Sequence, residues 1–221
     1  MEIQYFQPKM HTLPPHQKRL WPELQLVPDK FVLYGGTAIA LQLGHRESVD
    51  FDFFSTGTSG HFDPDELLET LPFLGQAQVV QKAANTLTAL VDRGGQVSVS
   101  FFGLPRIGAQ LKPPLVCADN GIKIASLLDL AGMKASVVQK RAGWKDYTDL
   151  TALIATGVTL DKAMSAAVAV YKDQFNPQIT LKALSYFDDV PNLPADVRTK
   201  LQDAVRAVDL RKLPALSELQ T

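Results

Sequence analysis

The stretch that decides the fold runs from Tyr34 to Phe54 and reads YGGTAIALQLGHRESVDFDFF. It begins at the end of an apolar run, Phe31–Tyr34, which is typical of a short buried strand that a pair of glycines ends. The apolar residues over 37–43 predict a short helix, and Gly44 is suited to its C-terminal end. The alternation VDFDFF over 49–54 predicts a half-buried strand.

Two carboxylates share one face of this last strand. Residues two apart on a strand point to the same side, about 6–7 Å apart, so Asp50 and Asp52 lie side by side while Val49, Phe51 and Phe53 fill the core face. Neighbouring carboxylates repel each other, and Mg²⁺ is commonly bound by one or two carboxylates together with substrate phosphates. Asp50 and Asp52 are therefore candidate metal ligands, although the same pattern also fits a solvated strand face.

The glycine turn is the second candidate element, formed by Gly35, Gly36 and Thr37. A strand that ends in glycines and opens a helix brings backbone N–H groups and a helix N-terminus together, which favours phosphate binding. Alone, the pattern also fits an ordinary strand-to-helix turn. Because a strand, a short helix and a strand follow one another, we expect this turn to lie beside the Asp pair on a neighbouring strand.

Composition excludes several classes of protein. Among 221 residues, 22 Lys and Arg stand against 23 Asp and Glu, for a net charge of −1, which excludes a strongly basic surface for long duplex DNA. A hydrophobic content of 46% with 20% charged residues excludes disorder as the main state. The N-terminus does not resemble a signal peptide, and no apolar run approaches the ~20 residues of a membrane span. We therefore expect a cytoplasmic protein with no membrane partner.

The pattern of hydrophobic residues changes after Pro113 and Pro114. Before them, alternation predicts strands over 78–82, 86–91 and 97–102, the last two joined as a hairpin. Helical periodicity covers 16–24, 124–130, 133–141, 144–155, 160–171, 178–184 and 195–210. The prediction is an α+β fold in which a mixed sheet with helices is followed by a helical C-terminal domain. We expect the two domains to cover residues 1–115 and 116–221.

Two sequence blocks give the chain a family resemblance. GGT at 35–37 followed by HRESVDFD at 45–52 resembles the nucleotidyltransferase superfamily and, more closely, the AbiEii/AbiGii-like toxin family of type IV toxin–antitoxin and abortive-infection systems. DLAGMK at 129–134, followed by RAGWKDYTDL at 141–150, matches the later pattern of that family, a helix-borne Lys followed by Arg and Lys-Asp-x-x-Asp-Leu.

The resemblance implies a nucleotidyltransferase fold and a metal-dependent reaction. Asp50 and Asp52 would hold Mg²⁺ or Mn²⁺, and Gly36 and Thr37 would contact a nucleoside triphosphate, with Gly35 in the same turn. A hydroxyl would attack the α-phosphate in line and release pyrophosphate. The implied acceptor is an RNA, such as tRNA, or a protein, and the implied partner is a cognate antitoxin.

The resemblance also assigns residues in the second block. Lys134 would neutralise phosphate charge, and Asp146 would act near the nucleophile or the metal. The spacing is compatible with this, because Asp146 and Asp149 share one face of a predicted helix, as do Lys134 and Arg141. The alternative is that these are solvent-facing charges on amphipathic helices.

Arg46 and Ser48 have two interpretations each. The Arg46 guanidinium is suited to bidentate binding of a phosphate, or it forms an ion pair with Asp50, Asp52 or the later acidic helix. Ser48 contributes to the nucleotide site, or it begins the strand by hydrogen bonding to the backbone.

One departure from the superfamily concerns a third carboxylate, which active members usually carry on a later strand. The corresponding strand here is QVSVSFF over 96–102, whose polar face offers Ser98 and Ser100. Either Asp146 or Asp149 supplies that carboxylate, or catalysis is weak, or the protein is a non-catalytic nucleotide- or RNA-binding protein. A metal-dependent phosphohydrolase is less favoured, because the sequence lacks the spacing of histidine and aspartate ligands.

Overall fold

The computed structural model describes residues 3–55, 60–103, 110–141, 143–217 and 219. The chain forms two compact units, one up to Ala125 and one from Ser126 onward. The sequence-based boundary lies after residue 115. The first unit extends further because two short strands that follow Pro114 pair with its sheet.

The first unit is built on a mixed sheet of eight strands in the described residues. The strands are β1 (Tyr5–Phe6), β2 (Phe31–Tyr34), β3 (Asp50–Ser55), β4 (Gln78–Ala83), β5 (Thr86–Asp92), β6 (Gln96–Phe102), β7 (Leu115–Cys117) and β8 (Lys123–Ile124). Their order across the sheet is β1-β7-β8-β2-β3-β6-β5-β4. The pairs β1/β7, β2/β8 and β3/β6 are parallel, and the others are antiparallel.

The central strands confirm most of the predicted sheet. β2 and β3 are antiparallel neighbours, and β5 and β6 form the expected hairpin. The Asp92 carboxylate accepts hydrogen bonds from the N–H groups of Gly94 (2.8 Å) and Gly95 (3.0 Å) at its turn. The prediction that Val49 fills the core face is wrong: β3 begins at Asp50, and Val49 is exposed.

Helices of the first unit flank these strands. They are α1 (Pro15–Leu20), α2 (Gly35–Leu43) and α3 (Pro64–Thr70). α1 is shorter than the predicted helix over 16–24 because the chain continues as a 3-10 helix from Trp21 to Leu26, with Pro22 in its first turn. α2 begins two residues earlier than predicted, so that the glycines belong to its first turn, and it ends at Gly44, whose φ is +72°.

Phenylalanines hold the opposite face of β3 in the core. Phe51 and Phe53 are fully buried. The rings of Phe53 and Phe101 stack with centroids 5.3 Å apart, and Phe31 meets Phe101 edge-on at 5.0 Å. Because side chains alternate along a strand, this packing determines which face of β3 carries the two aspartates.

The second unit is helical. Its helices are α4 (Leu127–Val137), α5 (Trp144–Ala155), α6 (Leu160–Tyr171), α7 (Pro177–Ala183) and α8 (Ala195–Arg206). Both ends of α5 and α6 agree with the prediction. The two helices predicted over 124–130 and 133–141 are wrong, since α4 runs unbroken through Gly132 and ends at Val137. Ile124 lies in β8.

In the described part of the chain, no single helix has the length and hydropathy of a membrane span. Among the helices of the described residues, one pair, α5 with the segment Leu160–Gln174, reaches both values when taken together, and that pair is bent by 113°.

Candidate active site

The aspartate pair lies on β3, between β2 and β6. Asp52 is opposite Tyr34 of β2 and opposite Ser100 of β6, and Asp50 is opposite Ser98. Asp50 is exposed and Asp52 is half-buried. The two carboxylates therefore occupy the face of the strand that leads away from the phenylalanine core, as predicted.

The glycine turn lies directly against Asp52. Gly35 has a φ of +74°, and a Cβ at this position would fall 2.7 Å from Oδ2 of Asp52. Tyr34, which precedes α2, makes no side-chain hydrogen bond to the first N–H groups of the helix. A helix N-terminus carries partial positive charge. The backbone at Gly35 and the carboxylate at Asp52 thus form one polar surface where β2 ends and α2 begins.

Arg46 reaches the same turn. A Cβ at Gly36 would meet Nη2 of Arg46 and would fall 3.2 Å from the Ser48 hydroxyl. Nη1 of Arg46 donates a hydrogen bond to the backbone carbonyl of Glu47 (2.8 Å). A cationic guanidinium over a glycine of the turn matches the phosphate-binding interpretation of Arg46.

Thr37 and Ser48 tie the first turn of α2 to the start of β3. The Thr37 hydroxyl donates a hydrogen bond to the backbone carbonyl of Asp50 and lies 2.9 Å from the Ser48 hydroxyl. The Ser48 N–H donates to the carbonyl of Thr12 (3.1 Å). Both side chains are buried. Their contacts match the interpretation in which Ser48 orders the entry to the strand, and they hold the glycine turn beside the aspartates.

The strand β6 presents hydroxyl groups next to the aspartates. Ser100 is buried, and its oxygen accepts a hydrogen bond from Thr88 (3.2 Å). No cluster of three or more histidine, cysteine or acidic residues suited to a metal occurs among the described residues. Two carboxylates beside a turn with the geometry expected of a phosphate site fit Mg²⁺ or Mn²⁺, because such ions take part of their oxygen ligands from water and substrate phosphates.

The second unit buries a cluster of charges at Lys134. Its Nζ lies 2.7 Å from Oδ1 of Asp146 and 2.8 Å from Oδ2 of Asp149. The side chains of Lys134, Asp146 and Asp149 are 5%, 2% and 0% exposed. The interpretation of these three residues as solvent-facing charges is therefore wrong, while the shared face of Asp146 and Asp149 is confirmed.

Arg141 completes this cluster from outside the helices. Its Nε lies 2.8 Å from Oδ2 of Asp146, and its Nη2 donates to Oδ1 at 3.2 Å. The predicted helix face shared by Lys134 and Arg141 is wrong, because α4 ends at Val137. The two cations meet at Asp146 instead.

The charges in this cluster set the protonation state of Asp146. Burial alone would raise the pKa of its carboxyl, but hydrogen bonds from Arg141 and Lys134 and their positive charges bring the pKa below its ordinary value. Two cations face two carboxylates, so the four formal charges cancel. Asp149, which the sequence analysis gave only as an alternative to Asp146, contacts the same ammonium. Its spacing of three residues from Asp146 is the sequence feature that indicates a shared partner.

The sequence-predicted residues therefore gather in two groups. The first unit brings together Gly35, Gly36, Thr37, Arg46, Ser48, Asp50 and Asp52. The second unit brings together Lys134 and Asp146, with Asp149 and Arg141.

Comparison with solved structures shows the fold. MenT4, a nucleotidyltransferase toxin from Mycobacterium tuberculosis, is similar with a TM-score of 0.55 at 16% identity, over 88% of this chain and 83% of that chain. An antigenic nucleotidyltransferase-like protein from Paracoccidioides brasiliensis has a TM-score of 0.48 at 16% identity, over 91% of this chain and 94% of its own. The predicted α+β nucleotidyltransferase fold is confirmed.

Comparison of sequences identifies the family. A protein of Aquifex aeolicus (strain VF5), itself described as uncharacterized, is 33% identical over 161 residues, which are 73% of this chain and 75% of that protein. The family model described as nucleotidyl transferase AbiEii toxin, type IV TA system, matches residues 21–219. Since that match spans both units and both sequence blocks, the chain belongs to the AbiEii nucleotidyl transferase toxin family of type IV toxin–antitoxin systems.

Proposed function

We propose that this chain is a metal-dependent enzyme that transfers a nucleoside monophosphate from a nucleoside triphosphate to an RNA or protein acceptor. The observation that carries the proposal is the contact of the Gly35 backbone with the Asp52 carboxylate, which joins a turn suited to phosphate and a pair of metal ligands. As a member of its family, the chain would act as a toxin in the cytoplasm, and a cognate antitoxin would counter it.

Asp50 and Asp52 are the residues that would hold the metal, Mg²⁺ or Mn²⁺. Their fit rests on the shared face of β3 and on the closeness of Asp52 to the glycine turn. When bound, the ion would supply Lewis-acid stabilisation of the phosphoryl oxygens. An exposed Asp50 remains accessible to an incoming ligand, while the half-buried Asp52 is held at the turn.

The glycine turn would bind the phosphates of the triphosphate. The Arg46 guanidinium lies where a side chain of residue 36 would begin, so an anion at Gly36 would meet this cation together with the first N–H groups of α2, where the helix dipole favours negative charge. Arg46 would add a positive charge at the same turn. Thr37 and Ser48 would act through their hydrogen bonds, by keeping the turn and β3 in register.

Lys134 and Asp146 are assigned to catalysis by the family resemblance. The contacts in the buried cluster support different roles for these two residues. A lowered pKa keeps Asp146 ionised at neutral pH, where its carboxylate pairs with the Lys134 ammonium. A general base works best when its pKa lies near the working pH. An ionised Asp146 is therefore better suited to the role of a metal ligand than to that of a general base. For Lys134 to neutralise phosphate charge, as the resemblance implies, a substrate phosphate would have to displace one of the two carboxylates from its ammonium.

A second candidate function rests on Ser100. This residue is opposite Asp52 on β6, where the superfamily usually has its third carboxylate, and β6 contains no acidic residue. A serine hydroxyl does not replace a carboxylate as a base or a strong metal ligand. If Asp146 does not take over that role, the chain is a non-catalytic protein that binds a nucleotide or an RNA.

Calorimetry of the full chain tests the proposed site. Each nucleoside triphosphate is titrated with and without Mg²⁺ into wild type, Asp50→Asn and Asp52→Asn, with Glu69→Gln as a matched acidic substitution on an exposed face of the same unit. We expect the metal to strengthen triphosphate binding in wild type and Glu69→Gln and to have little effect in the two aspartate variants. Equal affinity in all four proteins would contradict the site.

A further inference from the structure

Three cations and a tryptophan lie close together in the sequence at the start of α5. Lys140, Arg141, Trp144 and Lys145 are all exposed. Trp144 is 44% exposed, whereas Trp21 is 3% exposed in the core of the first unit. Nζ of Lys145 lies 5.9 Å from the centroid of the Trp144 ring.

Packing in the core of the second unit does not account for a tryptophan at position 144. α5 packs inward through Tyr147, Leu150 and Leu153, all of them buried. The hydroxyl of Tyr147 donates to the carbonyl of Ala183, and its ring meets Phe187 edge-on. Trp144 lies outside this packing. A large flat ring that is partly exposed next to the Lys145 ammonium suits contact with another π-system.

The charge around Trp144 is positive although the chain as a whole has a net charge of −1. Lys140 and Lys145 are exposed, whereas the charge of Arg141 is paired with the Asp146 carboxylate, so the positive charge next to Trp144 comes mainly from the two lysines. Acidic groups do occur on the neighbouring segment, where Asp188 and Asp189 raise the pKa of Tyr186; the pKa of Tyr147 is raised mainly by burial, with smaller contributions from Asp189 and Asp146. The positive surface is therefore a local one, with an acidic border.

We propose that Lys140, Arg141, Trp144 and Lys145 form a docking surface for a single-stranded segment of RNA, with one base stacked on the Trp144 ring. Aromatic side chains that bind successive bases beside cations that follow the phosphates are the usual means of binding single strands. Bases of a duplex are already stacked on each other and cannot cover the ring, so the surface favours an unpaired end or loop. This inference rests on the proposed function, of which it names the acceptor class.

Intrinsic fluorescence tests the proposal directly, because only two tryptophans contribute and only Trp144 is accessible. The full chain is titrated with a single-stranded oligoribonucleotide of about 12 nucleotides, a length within the usual site sizes. We expect quenching that saturates with binding, and we expect Trp144→Phe to bind the strand with almost no quenching. A blunt RNA duplex of the same sequence should bind more weakly.

Matched variants separate stacking from charge. Trp144→Ala should weaken binding about tenfold, the range of one stacked base, while Tyr186→Ala, an exposed aromatic at the acidic border, should not. Lys140→Gln should lower the slope of log affinity against log salt by about 0.7, the value for one phosphate of a single strand. Lys162→Gln, an exposed lysine on α6, is the control.

The outcome is independent of catalysis, since no triphosphate or metal is present. Saturable quenching in wild type supports the docking surface even if no transfer is ever seen, provided that Trp144→Ala binds a fluorescently labelled strand about tenfold more weakly by anisotropy and that Asp50→Asn and Asp52→Asn bind it like wild type. Absence of quenching, or equal binding by wild type, Trp144→Ala and Lys140→Gln, overturns it and leaves triphosphate binding at the aspartate pair untouched. Such a result would favour a protein acceptor.

Discussion

The backbone of Gly35 lies against the carboxylate of Asp52, so closely that a Cβ at position 35 would fall 2.7 Å from Oδ2. The same glycine has a φ of +74°, a conformation that costs other residues about 1–2 kcal/mol. Both facts restrict position 35 to glycine. Gly36 is restricted differently, since a Cβ there meets only the ends of the Arg46 and Ser48 side chains.

The first prediction uses this difference at Gly36. Because Arg46 can move aside, Gly36→Val should leave a folded protein but block the approach of a phosphate to α2. Triphosphate affinity should fall about 10- to 100-fold, the range for lost hydrogen bonds to a charged group. Circular dichroism and the same calorimetric titration check this, with Gly75→Ala as a glycine control in the same unit. A variant that unfolds would make Gly36 a residue of the turn alone.

The second prediction concerns the contribution of Asp146 to stability. Removing one partner of a buried ion pair commonly costs about 3–5 kcal/mol. Asp146→Asn should lower the free energy of unfolding by an amount near the lower end of this range, because Lys134 keeps Asp149. The exposed pair of Asp65 and Lys82 provides the control, since Asp65→Asn should cost less than about 1 kcal/mol. Denaturant unfolding measures both.

The pH dependence of that contribution has a definite sign. The pKa of Asp146 is lower in the folded chain than its ordinary value, so the unfolded carboxyl binds a proton first as the pH falls. Stability from Asp146 is complete above the unfolded pKa of about 3.9 and is lost as the pH falls through the folded value. The difference between wild type and Asp146→Asn should therefore shrink below about pH 4. A difference that grows on acidification would contradict the ionised cluster.

The third prediction concerns the packing of α4 on α6. A Cβ at Gly132 would fall 2.8 Å from the Cβ of Ala166 and 3.1 Å from its backbone carbonyl carbon. Alanine is the better helix former by about 1 kcal/mol, yet Gly132→Ala should destabilise the protein, by about 1–3 kcal/mol for an overpacked contact. Thermal and denaturant unfolding decide the sign, and an unchanged or raised stability would show that the helices separate easily.

Periodicity predicted the long elements well and the short ones poorly. α5 and α6 carry apolar stripes over several turns, and both ends of each were predicted. β1, β7 and β8 have two or three residues each, too few to show alternation, and they were missed. The prediction placed two helices on either side of Gly132, whereas α4 runs through it, and the missing side chain of this glycine allows the close contact with Ala166.

In the candidate site, too, the features that follow from local sequence were predicted, and those that depend on tertiary packing were not. The face of Asp50 and Asp52 follows from the two-residue period of a strand and was predicted. The burial of Lys134, Asp146 and Asp149 was not, because charged residues are expected at the surface and only mutual pairing makes their burial acceptable. Periodicity describes one helix at a time, whereas this cluster joins α4 to α5.

The fourth prediction separates catalysis from binding at Asp146. If Asp146 supplies the carboxylate that β6 lacks, Asp146→Asn should lower nucleotide transfer by orders of magnitude while triphosphate affinity changes little. Transfer is measured at a temperature where unfolding curves show the variant to be folded. Asp149→Asn is the informative comparison, since it leaves Arg141 on Asp146 but removes the other carboxylate at Lys134. Full activity in Asp146→Asn would exclude its catalytic role.

Transfer of label from the α-phosphate tests the central claim most directly. The wild-type chain is incubated with each α-labelled nucleoside triphosphate, Mg²⁺ or Mn²⁺, and cellular RNA or protein, and the label that becomes covalently bound to either fraction is counted. We predict metal-dependent labelling of an acceptor by wild type and Glu69→Gln, and loss of labelling in Asp50→Asn and Asp52→Asn. Labelling that survives in both aspartate variants, or no labelling of any acceptor by wild type, would contradict a nucleotidyltransferase centred on the aspartate pair.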